Sequence, residues 1–285
     1  MSAPPVVEIP AHPLSRSAQG SAPNWLNIIF MVLFHSLAIA AFFFFTWSAL
    51  AVAFILWFAS VNLGIGIGYH RLLTHRGFQA PGPLKYFLAI CGTLALEGGP
   101  LYWIVNHRVH HQHTDRHGDP HTPKEGAWWS HIGWVLQGAG LTGQTELIRQ
   151  YAPEILNDPI MLRIDRYHWL PLTLLAVILF AVGGLPWLLW GIFLRVTLGL
   201  HAVWLVNSAT HMWGSRRFAT KDNSRNLWWV ALLTGGEGWH NNHHAYPASA
   251  RHGLAWYEFD TNYYTIWLLG KLRLARHIRT AATPK

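Results

Sequence analysis

Charge is scarce in this 285-residue chain: Asp, Glu, Lys and Arg make up only 12% of it, against about 25% in an average soluble protein. With 51% hydrophobic residues, that scarcity points to a bilayer rather than to a charge-covered soluble surface. Cysteine is almost absent. The single thiol, Cys91, lies in the apolar run from Phe87 to Gly92, which excludes an intramolecular disulfide and all cysteine-based metal sites and reads as an inert buried group. No basic n-region precedes the first apolar run, so no cleavable export signal is expected. Residues 1–24, rich in Pro, Ser and Ala, read as a disordered tail. No internal repeat is found.

Long apolar runs are what the chain does have. Trp25 to Tyr69 is one such run, long enough for two spans of about 20 residues each, with a polar dip at Thr46-Trp47-Ser48 as the turn. Trp169 to Val206 is a second double-length run, broken at Gly183-Gly184-Leu185-Pro186. The expected fold is an all-α membrane protein with four transmembrane helices, at about 25–46, 49–69, 168–184 and 186–207. A helical cap made of 70–167 and 208–270 completes a single domain, 25–270, and a basic C-terminal tail, 271–285, follows. Gly64 and Gly68 are four apart on one helix face and permit close helix contact. Leu84–Leu96 and Leu227–Leu233 are too short to span and suit the interface.

Lys and Arg are missing from the hairpins near Thr46 and Gly183, and apart from Arg195 and the N-terminal Arg16 they lie in the two cap regions and the C-terminal tail. The positive-inside rule then puts cap and termini in the cytoplasm. Topology and anionic lipid account for the net charge of +8, so nucleic acid is not needed as a partner. The 17 Trp suit the membrane–water interface.

Histidine is the excess that topology does not explain, with 19 in the chain. Three clusters stand out, His70…His75, His107-Arg-Val-His110-His111 and His240-Asn-Asn-His243-His244, with a fourth element, Asn207…His211, just after the last run. Residues three and four apart share a helix face, so each HxxHH cluster can point to one spot. His70 and His75 are five apart, which suits a helix that ends or bends between them. Nine imidazoles exceed what one tetrahedral zinc uses and match two metals of higher coordination; imidazole alone does not choose among Zn, Cu, Fe and Ni. The other ten histidines read as surface or supporting residues, with His113 and His121 the foremost supporting candidates. A lone His at an interface is ordinarily a hydrogen-bonding residue; the combination of clusters at membrane exits on one side is what argues for metal.

These residues resemble the membrane fatty acid desaturases, in the branch that includes the stearoyl-CoA and other delta-9 enzymes. The resemblance runs from about Ile29 to Trp267. It rests on Gly68-Tyr-His-Arg-Leu-Leu-Thr-His-Arg76, His107-Arg-Val-His-His111, Asp119-Pro-His121, Ser130-His-Ile-Gly-Trp134, Trp204-Leu-Val-Asn-Ser208 and Gly236-Glu-Gly-Trp-His-Asn-Asn-His-His244. It implies two iron ions held by His70, His75, His107, His110, His111, His211, His240, His243 and His244, with Asn207 reaching one iron through water. It also implies O2 as co-substrate, insertion of a cis double bond into a saturated acyl chain at a delta-9 position, and a bent acyl tunnel near Trp103 and Trp204. Val203 stands where the animal enzymes have Thr. Where those enzymes carry residues that handle coenzyme A, this chain has Glu97-Gly98-Gly99, Val105-Asn106 and Gln137-Gly138. Glu97 and Asn106 are therefore candidate substrate contacts, and the carrier, CoA thioester, lipid ester or carrier protein, stays open.

Two electrons are needed per turnover. No fused electron-transfer domain is seen, so a separate ferredoxin- or cytochrome b5-like donor is expected at the cytoplasmic face, in a bacterial plasma membrane. A hydroxylase or ketolase on the same scaffold is the alternative enzyme. A metal transporter is the non-enzymatic one, although transporters place ionisable ligands inside their spans.

Overall fold

The computed structural model describes residues 22–138 and 144–281; nearly all of the expected tail 1–24 lies outside them. Among the described residues every regular element is helical, with only three isolated β-bridges. Three helices are long and apolar enough to cross a membrane, Trp25–Phe44, Trp47–Thr74 and Trp169–Met212. The first two part at the polar dip. Phe45 is extended, and Thr46 caps the second helix by accepting the Ala49 N–H at 3.1 Å through Oγ1, relieving one of the unpaired donors of a helix start.

The third helix covers 44 residues but is not a rod. Gly184 has φ 62° and ψ −156°, a conformation open to glycine, and Pro186 cannot restore the lost hydrogen bond. In a straight helix Leu179 and Gly191 would stand about 18 Å apart. Here a Cβ on Gly191 would lie 2.7 Å from Leu179 Cδ1, so the chain doubles back at Gly184.

The second helix changes its turn. From Phe58 to Thr74 it takes π-helical hydrogen bonding, and the His75 N–H donates to the His70 carbonyl at 3.0 Å. An i→i+5 repeat puts residues five apart on nearly the same face. Widening of the helix thus aligns His70 with His75, and the helix ends between them, at Thr74, with His75 as its C-cap. Gly64 and Gly68 both face helix Gly82–Thr93. A Cβ at Gly64 would lie 2.4 Å from the Cys91 carbonyl carbon, and one at Gly68 2.9 Å from the Leu88 carbonyl oxygen. Their close partner is therefore a cap helix, not another span.

Arg195, the one cation expected within a span, is buried. Its Nη1 donates to the Leu94 carbonyl at 2.5 Å and to Ser60 Oγ at 3.2 Å, and its Nε to the Gly191 carbonyl. Leu94 ends helix Gly82–Thr93, so the guanidinium meets the negative end of that helix dipole and pins the cap to the spans. Residues expected in the basic C-terminal tail pack back on the cap: Gln79 and Arg276 exchange two backbone hydrogen bonds of 2.8 Å, and the Arg279 N–H donates to the Gly77 carbonyl.

Gly64→Ala should cost about 1–3 kcal/mol through overpacking and lower the thermal unfolding midpoint in detergent. Gly82→Ala, whose Cβ would meet only Tyr86 Cε2 at 3.5 Å, should leave it unchanged.

Candidate metal centre

Four segments far apart in sequence converge where the second and third long helices meet the cap. The π-helical turn brings His70 and His75. Helix Pro100–His113 brings His107, His110 and His111, the short turn Ala209–Met212 brings His211, and helix His240–Ala245 brings His240, His243 and His244. The nine imidazoles fall into two groups, each with donor atoms within 4.8 Å of one another: His70, His75, His107, His111 and His243, and His110, His211, His240 and His244. Neither HxxHH cluster serves a single spot as its spacing suggested. Members four apart stay together, 107 with 111 and 240 with 244, while His110 and His243 cross to the opposite group.

The fit to metal is a matter of proton counting. In the first group the Nε2 atoms form a line, His70–His243 at 3.1 Å, then His243–His111, His111–His107 and His107–His75 at 3.0 Å each. Each such nitrogen carries one proton or one lone pair, so five in a line can make at most two hydrogen bonds across four contacts. Shared cations would satisfy all of them. In the second group His240 and His211 face each other through Nε2 at 3.0 Å, and the buried His244 Nε2 has no hydrogen-bond partner.

Four carboxylates orient the rings from outside. His70 Nδ1 meets Glu237 Oε2 at 2.5 Å, His110 Nδ1 meets Asp119 Oδ1 at 3.0 Å, and His211 and His244 meet Asp115 and Asp222 at 3.1 Å. A carboxylate accepting at Nδ1 fixes the tautomer that turns the Nε2 lone pair inward. Asp119 and Glu237 belong to motifs evident in the sequence, though neither carried a role there; Asp115 lies four residues past His111, and Asp222, 11 residues from the nearest clustered histidine, had no signal at all. His121 joins His110 and Asp119 as expected, whereas His113 lies outside all four clusters of potential ligands found among the described residues. His252, set aside in the sequence, is buried, with Nδ1 3.3 Å from Glu237 Oε2.

Burial, then the neighbouring imidazoles, hold His75, His107, His111, His240 and His243 well below the ordinary imidazole value. They are neutral near pH 7, as metal ligands must be. Burial pushes the Glu237 carboxyl up, but Arg71 foremost outweighs it and holds the group well below its usual range. Arg71 Nη2 lies 2.9 Å from Glu237 Oε1.

A cavity of about 610 Å³ ends at this cluster, within the 300–1,000 Å³ usual for ligand sites. Its lining runs from the exposed Leu26, Phe30 and Trp169 on the long apolar helices to His107, His121 and Asn207, and it includes Glu97, Trp103, Asn106, Val203 and Trp204. The Trp103 Nε1–H donates to Glu97 Oε2 at 2.9 Å, and its ring stacks on His107 at 4.9 Å. Burial pushes the Glu97 carboxyl up to about 8. Asn207 also lines a second cavity of about 30 Å³ with His70 and His107 of one group and His240 of the other.

Comparison with known proteins now bears on this geometry. The family model described as fatty acid desaturase matches residues 45–268. The chain belongs to the fatty acid desaturase family. It is 44% identical to the sn-2 palmitoyl-lipid 9-desaturase of Nostoc sp., over 91% of this chain and 92% of that one. It is 45% identical to the sn-1 stearoyl-lipid 9-desaturase of Synechocystis sp., over 90% and 80%. The icosanoyl-CoA 5-desaturase of Limnanthes douglasii is 42% identical over 89% and 71%. The chain is thus an oxidoreductase that introduces a double bond into fatty acyl chains. Identity alone does not fix carrier or position, since relatives of similar identity differ in both.

Asp222→Asn should lower metal affinity about 10–100-fold, read as metal retained during chelator titration; unchanged retention would remove Asp222 from the orienting set. The metal-free protein should also be acid-labile. Its depressed imidazoles contribute their full stability above the unfolded value of about 6.5 and lose it as pH falls towards their folded values. Its thermal midpoint should therefore drop between pH 7.5 and 5.5, with less change once metal is bound.

Proposed function

We propose that the two histidine groups hold two iron ions and that the desaturase inserts a cis double bond at position 9 of a saturated chain esterified in a membrane lipid. One ion falls to His70, His75, His107, His111 and His243. The other falls to His110, His211, His240 and His244, with Asn207 completing it through a water. The observation that carries this reading is the division of the nine imidazoles into two sets beside an apolar cavity. Bound iron would supply the activation of O2 and the removal of hydrogen from two adjacent methylenes, chemistry no side chain provides.

The remaining work is the protein's own. Trp103, held by Glu97 and stacked on His107, and Trp204 with Val203 wall the acyl chain beside the site, so that two particular methylenes are presented. Asn106 contributes a polar contact to the same wall. Two features favour a lipid ester over acyl-CoA. The cavity lining begins at exposed apolar side chains of the long helices, and no Lys or Arg is among the described residues that line it; phosphate groups are ordinarily met by such cations.

The 44-residue apolar helix that doubles back at Gly184 supports two spans there, and so four in all. That topology keeps cap and metal centre on one side, and the Lys/Arg distribution favours the cytoplasm. The two electrons then come from a separate carrier, ferredoxin- or cytochrome b5-like, on that face.

The test is the fatty acid profile, by gas chromatography–mass spectrometry, of a host expressing this chain or its His111→Ala variant. A new 9-monounsaturated acid with the first and none with the second is expected. A hydroxylated product would overturn the desaturase chemistry, and full activity in His111→Ala would overturn the ligand set. Reconstituted holoenzyme should desaturate stearoyl glycerolipid in vesicles at least tenfold faster than stearoyl-CoA; the reverse order would reject the lipid ester.

A further inference from the structure

Three histidines outside the metal groups form a line of their own. His35 lies in the first long helix, His201 in the last, and His131 in the cap segment Trp129–Gly133. His35 Nδ1 is 2.6 Å from the Met31 carbonyl oxygen, and His35 Nε2 is 2.9 Å from His201 Nε2. His201 Nδ1 is 2.9 Å from His131 Nε2, and His131 Nδ1 is 3.0 Å from Ser208 Oγ. One unbroken ladder therefore ties two membrane helices to the cap.

The ladder has a direction. A carbonyl only accepts, so His35 donates from Nδ1 and must accept at Nε2. His201 then donates to His35 and accepts from His131, whose Nδ1 shares the single Ser208 hydroxyl proton with the Trp204 carbonyl, 2.8 Å from the same oxygen. Three neutral rings satisfy the junctions from the Met31 carbonyl to His131. Polar rings in an apolar setting are costly unless paired, and polar groups within membrane helices tend to mark function. Leucines would fill the same space without setting ring planes.

What the rings flank is Trp204. His201 meets its indole edge-on at 5.4 Å and 78°, and His131 at 6.0 Å and 85°. Trp204 is buried and lines the large cavity beside Leu200, Val203 and Asn207. We propose that His35, His201 and His131 are positioning residues that lock the Trp204 indole and thereby set which methylenes of the acyl chain stand at the metal centre. This rests on the reading of the cavity as the acyl site. Removal of a rung frees the indole to turn, and the chain can then slide by a carbon or more.

The holoenzyme, expressed in the same host, tests this with His201→Leu and with His35→Phe, the rung farthest from Trp204. Double-bond position is read by mass spectrometry, and hydrogen exchange is followed over residues 129–137. Expected for His201→Leu are a second positional isomer at a tenth or more of the product, at least tenfold faster exchange in that segment, and an unchanged metal content. His35→Phe should shift both readouts the same way but less, and His201→Gln, which keeps a polar link, should restore part of the positional purity. One unchanged isomer with unchanged exchange in both folded variants would overturn the ladder. Absence of any double bond with the unaltered chain would instead sink the desaturase reading, and exchange would still judge whether the ladder ties cap to spans.

Discussion

Everything in this structure serves to hold nine imidazole lone pairs against one another in a dry place. Neutral rings tolerate that arrangement poorly, because their nitrogens cannot pair off among themselves. Four carboxylates, Asp115, Asp119, Asp222 and Glu237, lie behind the rings and turn the lone pairs inward. Their negative charge is itself buried, and part of it is balanced by Arg71, which bridges Glu237 and Asp260. The cap is a nest of hydrogen bonds because each buried polar group demands the next.

The membrane helices supply the rigid frame for this nest. The π-helical stretch delivers two ligands on one face, and the close approach at Gly64 and Gly68 presses helix Gly82–Thr93 against it. Arg195 fastens the end of that helix to the last span. The cap is thus a continuation of the membrane core rather than a separate body resting on it.

Much of this was legible in the sequence. Apolar runs gave the long helices, since their lengths are dictated by bilayer thickness, and the break at Gly183–Pro186 marked the reversal at Gly184. Histidine spacing identified the nine rings that meet. It misled on their partition, because the 3.6-residue repeat says which rings share a face but not which of two neighbouring centres that face straddles. The widened turn at His70–His75 was also out of reach, because no single residue encodes it. The orienting carboxylates escaped for a similar reason. Asp222 lies 22 residues and Asp115 lies 96 residues from the rings they hold, and only the folded cap makes them neighbours. His35, His131 and His201 were read as incidental because their spacing carries no pattern.

The crossing of His110 and His243 between groups has a consequence for how the protein is made. Each group draws at least one ligand from helix His240–Ala245, which follows the last long apolar helix in the chain. Neither half of the centre can be completed while that segment is still inside the ribosome, so a complete ligand set exists only after all three long apolar helices have been made. Until then the nascent chain carries its histidines apart, as ordinary polar residues at the water's edge.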